Sequence, residues 1–227
     1  MPIELSKVVP WGRSFDEYRR MFALSDADLS GKILGCGDGP ASFNAEATAA
    51  GRCVTSCDPI YDFTSEQIER RVLECRDDML AQVQRDRDGF VWDYIRDPEH
   101  LVELRIAAMR MFLADFDGGR KSGRYVTASL PQLPFANGCF RLALSSHLLF
   151  LYSELLDLEF HLASIEELLR VAAELRCFPL LDLKRNRSCH LEPVQKHFSA
   201  RGFNVEVVQV AYEFQRAGNQ MLRIAHS

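Results

Sequence analysis

The chain has 227 residues, 47% of them hydrophobic, and a formal net charge of −5. That length suffices for one large domain or two small ones, and the acidic balance gives no general reason to bind nucleic acid or an anionic membrane. Seven cysteines without a C-x-x-C pair, and no secretory segment at the start, read as reduced thiols of a cytoplasmic protein; no apolar run approaches the ~20 residues of a membrane span.

After an unassigned Pro-containing opening, Ser14 and Glu17 form a capping box. Phe15, Tyr18, Met21 and Phe22 share one face of the helix it starts, which is expected to end near Leu24. Arg13 and Tyr18 either line a site or pack on the sheet edge. Residues 33–36 read as a strand, followed by the turn Gly35-Cys36-Gly37-Asp38-Gly39 and a helix over 41–50 closed by Gly51. Glycines let the turn take unusual φ values and let a ligand touch backbone. The helix start presents unpaired N–H groups. A second strand over 52–58 ends in Asp58, whose carboxylate can accept from two ribose hydroxyls. Cys53 and Cys57 would point to the same side of it and read as buried apolar fillers.

Residues 62–124 far exceed the dozen or so residues of a minimal crossover. Ile68, Val72, Cys75, Met79 and Val83 predict a helix over 65–85. An aromatic connector at 90–95 follows, and Pro98 fits the first position of a second helix. Leu101, Leu104, Ala108, Met111, Phe112 and Phe116 make that helix's apolar stripe, with Gly118-Gly119 closing it. Such an insertion either caps a site or enlarges the core.

A third strand at 124–129 leads into Leu130-Pro131-Gln132-Leu133-Pro134-Phe135 and a fourth strand at 140–145. Ser145-Ser146-His147 ends the fourth, where open α/β sheets place ligands. His147 is either a general base or a structural histidine bonded to backbone. A helix over 160–176 and an apolar strand over 177–183 come next. Lys184, Arg185 and Arg187 behind them either attract an anion or form a solvated loop. A helix over 192–201 precedes two strands, 204–214 and 221–225, joined by a hairpin loop at 215–220. The six histidines are scattered, so no metal site is expected. There is neither a G-x-S-x-G elbow nor a P-loop lysine.

The glycine spacing is G-x-G-x-G, not the G-x-G-x-x-G of dinucleotide folds. With the Leu-Pro-Phe segment and the closing hairpin, it resembles class I S-adenosylmethionine-dependent methyltransferases, over about residues 30–60 and 124–226. The stretches 35–44, 57–61 and 146–153 look like an uncharacterised bacterial branch of that family. The resemblance implies an α/β, Rossmann-like doubly wound sheet of about seven strands, mostly parallel with a C-terminal antiparallel hairpin. It implies one domain over 1–227, with the helical insertion between the second and third strands at about 62–124. S-adenosylmethionine is the implied cofactor. Gly35, Cys36, Gly37, Asp38, Gly39, Asp58 and Pro59 would hold its methionine and ribose parts, and Ser129 and Leu130 its adenine. Ser146 would face the methyl group, with His147 as the catalytic base. Ile33 and Ser129 stand where the family usually has acids, and Arg141 where it has an aspartate. The expected acceptor is a small molecule, with no nucleic-acid or membrane partner and the oligomeric state open. The alternative is a cofactor-binding sensor or assembly protein without catalysis. A nicotinamide enzyme is disfavoured by the glycine spacing and the hairpin.

Overall fold

The computed structural model describes residues 11–226, so the opening Pro-containing stretch lies outside the described residues. The reciprocal Ser14–Glu17 capping box starts helix α1 (Phe15–Met21), which ends three residues earlier than expected. Strands β1 (Lys32–Cys36) and β2 (Cys53–Cys57) flank helix α2 (Phe43–Ala49). Helices α3 (Ser65–Arg85) and α4 (Pro98–Lys121) fill the span before β3 (Tyr125–Val126). Asp97 caps α4 and Pro98 takes its first position. Gly118 and Gly119 do not end α4. A Cβ on Gly119 would stand 2.4 Å from the Tyr125 ring, so the glycine serves close approach to β3.

Strand β4 (Phe140–Ser146), helix α5 (Leu158–Val171), strand β5 (Ala172–Phe178) and helix α6 (Leu191–Ala200) follow. The chain closes with β6 (Asn204–Gln209) and β7 (Gln220–Ala225). The α5–β5 boundary corrects the sequence reading by five residues. Ala172 is already extended at φ −133° and ψ 152°, so helix passes directly into strand. Glu174-Leu175-Arg176-Cys177 alternates with period two. Leu175 and Cys177 enter one core, while Arg176 turns to the other face and pairs with Asp28. Cys53, the first residue of β2, is exposed and not a buried filler; Cys57 is buried.

One sheet orders the strands β3-β2-β1-β4-β5-β7-β6. β1 to β5 are parallel neighbours, and β7 runs antiparallel to both β5 and β6. Alternation along the central strands feeds two cores. Leu34, Ala143 and Leu222 face α5 and α6, whereas Ile33, Leu142 and Leu144 face α1 and α2. A third cluster, Tyr61, Ile68, Phe112, Phe116 and Tyr125, docks α3 and α4 beside β3. The connector after α3 is clasped by the β6–β7 loop, with Val91 N–H donating to Phe214 O at 2.8 Å and Arg216 N–H to Gly89 O at 3.0 Å. That clasp brings the C-terminal hairpin to the carboxyl ends of the parallel strands.

Candidate active site

A chamber of about 470 Å³ opens at the carboxyl ends of β1, β2, β3 and β4, the place where a doubly wound sheet leaves a crevice. Its first half is the glycine turn. Gly37 and Gly39 have φ of +73° and +54°, a region that L side chains enter at a cost. A Cβ on Gly37 would lie 2.7 Å from the Leu148 side chain. Asp58 ties the turn down: Oδ2 accepts from Gly39 N–H at 2.8 Å and Oδ1 from Ile60 N–H at 2.9 Å. A carboxylate has about four acceptor positions, so about two remain. Burial raises the Asp58 pKa against these two hydrogen bonds.

Asp38 folds back beneath the turn. It accepts from Tyr18 Oη at 2.7 Å and from Ser56 Oγ at 2.6 Å. Burial pushes its carboxyl up to about 7 even though both bonds favour the charged form. Gly35 makes room for it, since a Cβ there would stand 1.8 Å from Asp38 Oδ2. Gly35 itself is absent from the chamber lining, while Cys36, Gly37, Asp38, Gly39, Asp58, Pro59, Ser129, Leu130, Ser146 and His147 all belong to it. Gly35 and Ile33 share a sheet face by the period of two, so the Asp38 carboxylate lies on the same face as Ile33.

At the end of β4, Ser146 Oγ lies 2.9 Å from His147 Nδ1. His147 has φ +54°, donates its N–H to Phe178 O at 2.7 Å and sets its ring edge-on to Phe178. Burial, then the charges of Arg13 and Arg105, hold its pKa well below the usual imidazole range. The shift favours the neutral ring and makes it a weaker base than an ordinary imidazole.

The second half includes Arg13, which the sequence offered as a lining residue, but also Arg105, Trp11 and Gln215, which it did not single out. Arg105 lines it and is buried; it grips Glu17 through two 2.7 Å bonds, and Tyr212 Oη donates to the same carboxylate at 3.0 Å. Burial works against the Glu17 carboxylate, but Arg105 holds its pKa down at about 2. The signal was a cation on an apolar stripe, four places after Leu101. Trp11, Arg13 and Gln215 join it, with walls from Met79, Val83, Phe90, Leu101, Leu151 and Phe214. Lys184 and Arg185 are ion-paired to Glu154 and Asp86. Among the described residues no group of three or more His, Cys, Asp and Glu is placed to hold a metal, and no helix is long and apolar enough to cross a membrane.

This sheet order, with a glycine turn after β1, an acid directly after β2 and a reversed β7, is the Rossmann-like fold of class I methyltransferases. The N-methyltransferase NodS of Bradyrhizobium japonicum WM9, solved with S-adenosyl-L-homocysteine, superposes with a TM-score of 0.51 at 16% identity, covering 98% of this chain and 94% of that one. Magnesium protoporphyrin IX methyltransferase of Synechocystis PCC 6803, solved with S-adenosylmethionine, gives a TM-score of 0.47 at 15% identity, covering 94% and 91%. No protein-family model matches the chain. The uncharacterized protein MJ0045 of Methanocaldococcus jannaschii is 34% identical over 223 residues, 98% of either chain, and this chain belongs to the same family. That relative is archaeal, whereas the sequence resemblance pointed to a bacterial branch.

Proposed function

We propose that the chain is an S-adenosylmethionine-dependent methyltransferase acting on a small molecule. Asp58 carries the reading: it organises the glycine turn through Gly39 N–H and keeps acceptor positions for ribose hydroxyls at the chamber's edge. Cys36, Gly37, Gly39 and Pro59 would enclose the methionine and ribose parts, Ser129 and Leu130 the adenine. Asp38 would place a negative charge under the cofactor's ammonium, in place of the missing acid at Ile33. When bound, the cofactor supplies an electrophilic methyl group on a sulfonium.

The protein's part is alignment and exclusion of water. Met79, Val83 and Leu101 from the 62–124 insertion close the chamber, so we assign α3 and α4 as a cap that sets acceptor size. Ser146 and His147 face the acceptor. A neutral His147 presents a ring-nitrogen lone pair, and the Ser146 hydroxyl fixes its ring plane.

The test is calorimetric titration with S-adenosylmethionine and S-adenosylhomocysteine, with NAD as control, for the natural protein and for Asp58→Ala. Micromolar binding of both adenosyl compounds, weakened about tenfold or more (about 1.4 kcal/mol) by Asp58→Ala, is expected. Absence of heat and of thermal shift with both would overturn the assignment.

A further inference from the structure

The acceptor half of the chamber holds an unbalanced positive charge. Arg105 is neutralised by Glu17 through a bidentate pair. Arg13 lines the same space with no acid in salt-bridge reach among the described residues, its Nη1 donating to Trp11 O at 2.9 Å. Arg13 Nε is buried without an acceptor, and so is Trp11 Nε1. The lining acids, Asp38 and Asp58, are already engaged at the glycine turn. A guanidinium stays protonated in a protein, and buried donors are nearly always satisfied. Two unmatched N–H donors and one uncompensated cation therefore specify what is missing: a monoanionic oxygen acceptor. Around them the walls are apolar, and Gln215 Oε1 is a buried acceptor lacking a donor.

We propose that the methyl acceptor is an apolar molecule bearing one carboxylate, and that Arg13 and Trp11 bind that carboxylate as specificity-determining residues. This inference rests on the methyltransferase reading. A carboxylate matches the planar fork of a guanidinium. A phosphate monoester, with about −1.5 to −2 charge and three strong acceptor oxygens, would exceed both the charge and the donors present. Gln215 would accept from a hydroxyl or amine of the same molecule. The 11–13 segment also touches the glycine turn at Pro40, so the cofactor's own carboxylate is the competing ligand.

The experiment loads the protein with S-adenosylhomocysteine and titrates 3-phenylpropionate, benzoate and octanoate, each against its primary amide. Tryptophan fluorescence and calorimetry read the binding. The acids are expected to bind about tenfold or more tighter than the amides. Arg13→Gln should erase that preference, Arg13→Lys should keep part of it, and S-adenosylhomocysteine affinity should change less than about twofold in both. Equal binding of acids and amides, or no acid binding into the millimolar range, would overturn the proposal. So would an Arg13→Gln protein that loses S-adenosylhomocysteine but keeps 5′-methylthioadenosine, because Arg13 would then hold the cofactor's carboxylate. If the natural protein binds no adenosyl compound, the methyltransferase reading fails by itself. The acid-against-amide comparison in the cofactor-free protein still decides the role of Arg13.

Discussion

Asp38 is a buried carboxyl whose pKa of about 7 makes it titrate in the physiological range. A raised folded-state pKa means that the folded chain binds the proton more tightly than the unfolded one. Its stabilising contribution is complete below the unfolded carboxyl range, about 3.9, and is lost as pH rises through about 7. We expect Asp38→Asn to flatten the fall of the urea midpoint between about pH 5 and 8, read by circular dichroism. An unchanged slope would show that Asp38 is ionised throughout. His147 has the opposite sign. Its lowered folded pKa gives stability that is present above about 6.5 and lost as pH falls below that value. Replacing it with Gln should shallow the acid limb of the same curve.

Between elements, the Glu17–Arg105 pair bolts α1 to α4, and Tyr212 adds the β6–β7 loop. Removing one partner leaves an uncompensated buried charge, which costs about 3–5 kcal/mol. Arg105→Met should therefore lose stability of that order in urea denaturation, and Glu17→Gln with Arg105→Met should recover much of it. Equal losses in the single and double variants would show that packing, not charge, sets the cost. Phe112 touches the rings of Tyr61, Phe116 and Tyr125. Phe112→Ala should cost about 3–5 kcal/mol and loosen the cap, and through Tyr61, whose hydroxyl donates to Gly39 O at 2.9 Å, slacken the glycine turn. Helix starts were legible in the insertion: α3 begins at Ser65 and α4 at Pro98 as the spacing predicted, and in the structure Thr64 and Asp97 cap them. The α5–β5 junction was not, because no loop residue separates the two periods.

For the molecule as a whole, a ligand that binds only the folded state stabilises it by about 2.7 kcal/mol at 100 times its Kd. S-adenosylhomocysteine at that excess should raise the melting temperature of the natural protein, and that of Asp58→Ala by no more than about half as much at the same concentration, because a tenfold weaker site is then only about 10 times above its Kd. If α3 and α4 cover the chamber, their amide hydrogen exchange should slow on adding cofactor. Unchanged exchange in α3 would make the insertion part of the core and not a cap.

The local code determined the skeleton of this protein. Gly35-Cys36-Gly37-Asp38-Gly39, Asp58 at the next strand end and the reversed final hairpin are short-range patterns, and they were sufficient for the fold class. Each depends on neighbours within a few residues, where backbone sterics and side-chain period act directly. The acceptor half was decided only by tertiary structure. Arg105 meets Glu17 across 88 residues, and Tyr212 reaches the same carboxylate across 195. Gln215 lines the chamber because the hairpin loop clasps the connector after α3. No periodicity records such meetings, because they follow from how helices and sheet pack once the apolar faces are buried. Packing also lowers the pKa of His147: burial, then the charges of Arg13 and Arg105, disfavour its protonated form, and none of these is recorded by its sequence neighbours.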